Sequence, residues 1–192
     1  MSWQKWYPVF LEEMEKVIKE APKVSPVHKN DHVLRVWEKS KILCERLGAD
    51  MEVMIASVIF HDLGRHHVQG DHGDKSAEMA KPILERIGFP VDKIDAALEV
   101  MRQHDHSLPP EQRKSLEAKI LYDTDKMDAF GVIGVYRHIL FIEAGRMKIE
   151  DVIAECKKRW DGLMLDESRD VAREDYEYIV NFFKTLVKKL EG

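Results

Sequence analysis

The segment from residue 51 to residue 60 constrains the fold most, because its apolar residues point in every direction around a helix. A helix with this pattern is buried on all sides. The next two residues are His61 and Asp62. Burying a carboxylate costs free energy unless a cation or hydrogen bonds compensate for it, and one metal ion would serve both side chains. In the alternative, His61 contacts the last carbonyls of the helix and Asp62 faces water, and the dipeptide alone favours this alternative.

Helical spacing of apolar residues recurs from end to end, and no stretch alternates as a strand bounded by turns does. The pattern predicts an all-α fold, a bundle of about eight helices. We expect one domain over residues 1–192, with a core at about 25–145 and the C-terminal helices at 148–190 packed on it. Gly131 and Gly134 would let another helix approach closely. The predicted helices cover residues 3–20, 28–47, 51–64, 74–87, 91–104, a short stretch reaching 120–128, a stretch ending near 144, 148–160 and 168–190, with a polar loop at 65–74.

The charge balance limits the partners of the chain. Lys and Arg total 30 against 35 Asp and Glu, a net charge of -5, so the surface has no general attraction for a nucleic acid polymer or an anionic membrane. A local basic pocket for one phosphate is compatible with this balance. Cys44 and Cys156 have no metal-binding or redox spacing and are expected as free thiols. The amino terminus lacks an apolar signal core, and no run reaches about 20 apolar residues, which favours a cytoplasmic protein.

Histidines are concentrated in one part of the chain. Six of the nine lie between residues 61 and 106. A divalent ion held by nitrogen and oxygen ligands needs neutral imidazoles and ionised carboxylates from several helices, with open positions for water and substrate. Periodicity alone does not decide whether those helices pack together. If they do, the suitable donors are His32, His61, Asp62 and Asp123.

The order of these four residues resembles the H…HD…D pattern of the HD superfamily of metal-dependent phosphohydrolases, which are all-α. Two flanking segments extend the resemblance. The run from Asp31 to Val36 (DHVLRV) is similar to the family's first-ligand helix, D-H-x-x-R-V. Residues 120–134 (ILYDTDKMDAFGVIG) are similar to the D-A-D-[RK]-L-D-A-x-G-A-I-G segment of its small, stand-alone branch. The resemblance covers roughly residues 25–190.

The resemblance implies a metal site and a reaction. The four implied ligands to one divalent ion are His32, His61, Asp62 and Asp123, and Asp62 is also expected to be a catalytic residue. Two imidazoles and two carboxylates are compatible with Mn, Ni, Co, Fe, Zn or Mg. The implied reaction is hydrolysis of a phosphoester or phosphoanhydride, in which the metal polarises a phosphoryl oxygen and lowers the pKa of a bound water that attacks phosphorus. We expect a nucleotide substrate, because small HD proteins often dephosphorylate nucleoside monophosphates or cleave triphosphates.

Three further residues are candidates for contact with the substrate phosphate. His104 ends a predicted helix where the branch carries an active-site histidine, and its alternative role is a surface helix cap. Arg65 lies three positions after Asp62, where some nucleotidase relatives carry an acid. This departure argues against a general acid at the position and suggests phosphate binding instead, and the alternative is an ordinary surface arginine. Lys126 would share the helical face of Asp123 and could reach phosphate, and its alternative is a solvated lysine.

Two other functions compete with nucleotide hydrolysis. A cyclic-dinucleotide or guanosine-tetraphosphate hydrolase is disfavoured, because no Gly-Tyr-Pro follows the HD segment and residues 63–66 (LGRH) replace the paired acids expected of tetraphosphate hydrolases. The non-enzymatic alternative is a catalytically weak nucleotide-binding or scaffold protein on an HD fold. Suitable donors at all four ligand positions argue against it. A homodimer through an apolar helix face is compatible with the sequence.

Overall fold

The computed structural model describes residues 2–20, 30–105 and 107–191. Within these ranges the chain forms nine α-helices and no β-strand, so the predicted all-α fold is confirmed. None of the helices in these ranges is long and apolar enough to cross a membrane. The helices are α1 (Trp6–Glu20), α2 (Asn30–Leu47), α3 (Met51–Phe60), α4 (Gly73–Arg86), α5 (Val91–Gln103), α6 (Leu116–Met127), α7 (Gly131–Glu143), α8 (Val152–Asp161) and α9 (Asp166–Glu191).

Two helix boundaries near His61 and Asp62 differ from those that the sequence predicts. α3 ends at Phe60 rather than near residue 64, because Asp62 has φ −99° and ψ 5° and Leu63–His66 then form a separate 3-10 turn. This turn shortens the predicted polar loop, and α4 begins at Gly73. The predicted start of α2 near residue 28 lies outside the described residues, and the described part of that helix begins at Asn30.

Helix α3 is buried along almost its whole length, as the sequence predicts. Asp50 caps its amino terminus by accepting hydrogen bonds from the backbone N–H groups of Glu52 at 2.8 Å and Val53 at 3.2 Å. Every residue from Glu52 to Phe60 is buried. The two residues that follow the helix therefore begin in the interior, where their polar groups need partners.

The chain divides into two compact units, Met1–Tyr122 and Asp123–Gly192. In the first unit, α3 packs against α1, α2 and α5, and α4 packs on α5. Aromatic rings fill part of this core, where the Phe10 ring lies 5.2 Å from that of Phe60 and 5.5 Å from that of Phe89. The single domain over residues 1–192 stays a prediction.

In the second unit, α7 and α8 pack against α9. The close approach predicted at two glycines is confirmed there. A Cβ atom at Gly134 would lie 2.9 Å from Ile179 Cδ1, and one at Gly131 would lie 2.5 Å from Asp175 Oδ1, both on α9. The buried core of this unit comprises Met127, Phe130, Val135, Val152, Cys156, Leu163, Ala172, Ile179 and Phe183.

The two cysteines are buried and free, as the sequence predicts. Burial raises the pKa of the Cys44 thiol to about 12 and that of the Cys156 thiol to about 11. Both thiols are therefore protonated near neutral pH, and only the thiolate is an effective nucleophile or metal ligand. Neither cysteine is a candidate for the chemistry of this protein.

Candidate metal centre

Three side chains of the first unit bring their donor atoms together beside the carboxyl end of α3. His32 lies in the first turn of α2, and His61 and Asp62 directly follow α3. One ligand atom from each of the three lies within 4.8 Å of the others. His32 Nε2 is 3.8 Å from Asp62 Oδ2, and His61 Nε2 is 3.6 Å from Asp62 Oδ1. The imidazoles are 1% and 0% exposed and the Asp62 side chain is 12% exposed, so water has little access to this group.

The backbone sets the tautomer of His61. Its Nδ1 lies 2.7 Å from the carbonyl oxygen of Val58, one turn earlier in α3. Because a carbonyl oxygen only accepts hydrogen bonds, Nδ1 carries a proton, so in the neutral form of the ring Nε2 presents a lone pair. A backbone carbonyl that orients the ring in this way is typical of a metal-binding histidine. His61 Nε2 is therefore set up as a ligand atom.

The two carboxylate oxygens of Asp62 have different surroundings. Oδ1 accepts a hydrogen bond from His72 Nε2 at 2.7 Å, and Arg65 Nε lies 2.9 Å from the same oxygen. Oδ2 is buried and accepts no hydrogen bond from any described residue. Burial opposes ionisation of Asp62, but charge interactions with His61 and Arg65 and the hydrogen bond from His72 hold the pKa of this carboxyl well below its usual value. Asp62 is therefore an ionised ligand candidate with one oxygen held by the protein.

These donors fit a divalent metal ion. A buried carboxylate oxygen without a hydrogen-bond donor is costly, and a cation in contact with it would remove that cost. Two imidazole nitrogens and a carboxylate oxygen form a mixed set that several divalent ions accept. His32, His61 and Asp62 would hold the ion, with further coordination positions for water and substrate. The structure thus brings three of the four predicted ligands into one group.

A second group of donors shares Asp62. Ligand atoms of Asp62, His72 and His104 also lie within 4.8 Å of one another. His104 Nε2 is 3.1 Å from His72 Nε2, and His104 Nδ1 is 2.5 Å from the carbonyl oxygen of Met101. The sequence predicts His104 near the site and assigns no role to His72. The sequence signal that could have identified His72 is the concentration of histidines between residues 61 and 106, of which it is one.

Asp123 and Lys126 belong to the second unit. The two carboxylate oxygens of Asp123 accept hydrogen bonds from the backbone N–H groups of Met164 at 2.8 Å and Leu165 at 2.9 Å. Burial raises the pKa of the Asp123 carboxyl, although these hydrogen bonds oppose the shift. Lys126 is also buried, and its Nζ lies beside Gly162. A fourth-ligand role for Asp123 and a phosphate-binding role for Lys126 stay predictions.

Comparison with known proteins connects these residues to a family. The HD domain family matches residues 30–129, more than half of the chain. The chain belongs to the HD domain family. The matched range contains His32, the pair His61 and Asp62, and Asp123. The resemblance seen in the sequence is therefore confirmed at the level of the HD family.

Relatives of known structure share the HD fold. Bacillus subtilis YpgQ, an uncharacterized protein, is 21% identical over 179 residues, which cover 86% of this chain and 85% of YpgQ. One YpgQ crystal structure matches with a TM-score of 0.76 and 20% identity over 100% of this chain and 99% of YpgQ. Another YpgQ crystal structure, a complex with ADP, matches with a TM-score of 0.76 and 20% identity over 98% of this chain and 97% of YpgQ. The crystal structure of a predicted HD superfamily hydrolase from an uncultured Thermotogales bacterium matches with a TM-score of 0.73 and 22% identity over 96% of this chain and 93% of that protein. At these identities, the structural likeness shows the fold.

Proposed function

We propose that this HD protein is a metal-dependent phosphohydrolase that acts on a nucleotide or a related small phosphoester or phosphoanhydride. The observation that carries the proposal is the grouping of Asp62 with the buried histidines His32 and His61, in which the buried atom Asp62 Oδ2 accepts no hydrogen bond from the described residues. A carboxylate oxygen in this position is suited to a cation. Membership of the HD family supports metal-dependent hydrolysis as the reaction class.

Two observations support a nucleotide as the substrate. A crystal structure of the relative YpgQ is a complex with ADP. In this chain, the guanidinium of Arg65 lies beside Asp62 and supplies positive charge next to the proposed metal ligands. Arginine is well suited to phosphate because its planar N–H donors match phosphate oxygens. A nucleotide phosphate is therefore the group that we expect beside Asp62.

The residues of the proposed site have separate tasks. When bound, a divalent ion such as Mn, Ni, Co, Fe, Zn or Mg supplies Lewis acidity that polarises a phosphoryl oxygen and lowers the pKa of water. His32, His61 and Asp62 would hold the ion through two nitrogens and one oxygen, and the family pattern assigns a fourth ligand position to Asp123. The ionised state of Asp62 removes the need to displace a proton when the ion binds. The residues proposed to contact the substrate phosphate are His104, Arg65 and Lys126.

The proposal predicts that hydrolysis depends on both the metal and Asp62. The full chain, stripped of metal and then supplied with Mn²⁺, is incubated with nucleoside mono- and triphosphates, and phosphate and pyrophosphate are measured separately. We expect wild type to release one of the two products and Asp62→Ala to fall to background, because the variant loses a ligand to the ion. The control is Asp95→Ala, a carboxylate lost from the exposed surface of α5, which should keep wild-type activity.

Equal rates for wild type and Asp62→Ala would contradict the proposal. Calorimetry with the same nucleotides distinguishes the non-enzymatic alternative. A nucleotide that binds tightly and is not hydrolysed with any of the divalent metals would support a nucleotide-binding or scaffold role instead.

A further inference from the structure

The amino terminus of α4 holds His72 in place. Asp105 accepts hydrogen bonds from the backbone N–H groups of His72 at 3.2 Å and Gly73 at 2.7 Å, so its carboxylate caps the first turn of the helix. His72 Nδ1 lies 3.4 Å from the carbonyl oxygen of Gly70, and Asp105 Oδ1 is 3.5 Å from the same nitrogen. His72 and Asp105 are each only 7% exposed. One edge of the imidazole is thus held near Asp105 while Nε2, on the other edge, donates to Asp62 Oδ1.

The segment that follows Asp62 is also attached to the start of α4. The backbone N–H of Gly64 donates to Ser76 Oγ at 2.9 Å. A Cβ atom at Gly64 would lie 2.7 Å from both the carbonyl oxygen of His72 and the backbone nitrogen of Ser76, so only glycine permits this approach. The backbone that follows Asp62 is therefore attached to the first turn of α4, which follows His72, and this attachment fixes the separation of the two residues.

We propose that His72, held by Asp105, is a positioning residue of the metal centre that orients Asp62 so that Oδ2 is its ligand oxygen. This inference rests on the proposed metal site. A carboxylate held at Oδ1 is restrained from rotating to bind an ion through both oxygens. The orientation is set before the ion binds, so binding does not have to restrict the carboxylate, and hydrogen bonds of this kind around ligands raise metal affinity.

A second metal ion bound by Asp62, His72 and His104 is the competing use of these side chains. Arg65 argues against it, because its Nε lies 2.9 Å from the Asp62 oxygen that His72 also contacts. The guanidinium is always charged, so an ion at this oxygen would be repelled by it. The ion would also replace the proton with which His72 Nε2 makes its hydrogen bond. A positioning role keeps both existing interactions.

Two substitutions at His72 separate these roles. In His72→Gln the side-chain amide can donate an N–H from nearly the place of Nε2, whereas His72→Met fills a similar volume without a donor. Binding of Mn²⁺ to each metal-free full chain is measured by calorimetry, and bound metal is counted by elemental analysis. We expect one ion in all three proteins, near wild-type affinity in His72→Gln, and affinity at least about tenfold weaker in His72→Met. The control is His67→Asn, which removes an exposed histidine and should bind as wild type does.

The outcomes distinguish failure of this inference from failure of the proposed function. Wild-type affinity in His72→Met overturns the positioning role and leaves the proposed function standing. Two ions in wild type and one in both His72 variants would make His72 a ligand and also overturn it. If wild type and Asp62→Ala bind Mn²⁺ equally, the metal site itself is wrong and both proposals fall.

A change at Asp105 supplies an independent measurement that does not alter the imidazole. Asp105→Asn keeps one oxygen for the helix cap and replaces the other with an N–H donor, which cannot accept the second backbone hydrogen bond. We expect a Mn²⁺ affinity several-fold weaker than that of wild type, with helical content unchanged by circular dichroism. A folded Asp105→Asn protein with wild-type affinity would show that Asp105 does not hold His72 for metal binding.

Discussion

Gly73 shows how little space the chain leaves around the proposed metal centre. A Cβ atom there would lie 2.5 Å from the carbonyl oxygen of Met101 and 2.7 Å from Asp105 Oδ2, closer than nonbonded carbon and oxygen atoms pack. Gly48 presents the opposite case, because its φ of +74° needs glycine while the space around it is open. A side chain at Gly73 would therefore collide with Met101 and Asp105, whereas one at Gly48 would only strain the backbone.

We therefore predict different results for alanine at these two glycines. Gly73→Ala should reduce the free energy of unfolding by about 1–3 kcal/mol through overpacking and weaken Mn²⁺ binding, because relief of the contact moves Asp105 or α4. Gly48→Ala should cost about 1–2 kcal/mol through its left-handed backbone and leave Mn²⁺ binding unchanged. Urea unfolding and calorimetry measure the two quantities. Unchanged metal affinity in Gly73→Ala would show that the contact relaxes without disturbing the site.

At the scale of secondary structure, the cap of α3 connects stability to pH. Asp50 accepts two backbone hydrogen bonds at the start of this helix and forms an ion pair with Lys93 at 2.8 Å. Burial alone would raise the pKa of Asp50, but the hydrogen bonds from Lys93 and from the backbone lower it below its ordinary value of 3.8. A carboxyl whose pKa is lower in the folded state binds protons more readily when unfolded, so it stabilises the ionised folded form.

We predict that Asp50→Ala reduces the free energy of unfolding by about 1 kcal/mol at pH 7. The contribution of the charge is fully present above the unfolded pKa of 3.8 and is lost as pH falls through the lower folded-state pKa. The difference between wild type and variant should therefore shrink below about pH 4. Urea unfolding at several pH values measures it, with Asp95→Ala as a surface control that changes little. A difference that is constant down to pH 2 would exclude an ionised cap.

At the scale of the whole molecule, metal binding and folding should be coupled. His32 comes from α2, while His61 and Asp62 follow α3. These residues meet only in the folded chain, so an ion that they bind adds its binding free energy to the free energy of unfolding. The free energy of unfolding of this chain is thus expected to be larger with the ion bound than without it.

We predict that Mn²⁺ at a hundred times its dissociation constant stabilises the protein by about 2.7 kcal/mol. For a chain of this size the midpoint of thermal unfolding should rise by about 5–10 °C, and a chelator should reverse the rise. Differential scanning calorimetry measures the midpoint. Asp62→Ala should show little of this effect, and an equal rise in that variant would place the ion elsewhere.

The parts of the structure that sequence predicts are those set by near neighbours in the chain. Helical periodicity and the apolar character of residues 51–60 depend on contacts three or four positions apart, and the predicted all-α fold and buried α3 are both confirmed. The predicted end of α3 near residue 64 was wrong, because the helix ends at Phe60 and Asp62 leaves the helical conformation, a change that no residue type in that stretch requires. The expected metal ligands came from the order of the motif residues, and the match to residues 30–129 shows the HD family to which that motif belongs.

By itself, the sequence determined the helical class, the burial of α3 and the residue types suited to a metal. Only the tertiary structure decided that Asp62 Oδ1 lies between His72 and Arg65 while Oδ2 accepts no hydrogen bond from the described residues. It also placed Asp105, 33 positions along the chain, at the backbone of His72. The physical reason is that periodicity records which face of a helix is buried, whereas the pairing of side chains across helices depends on how those helices pack.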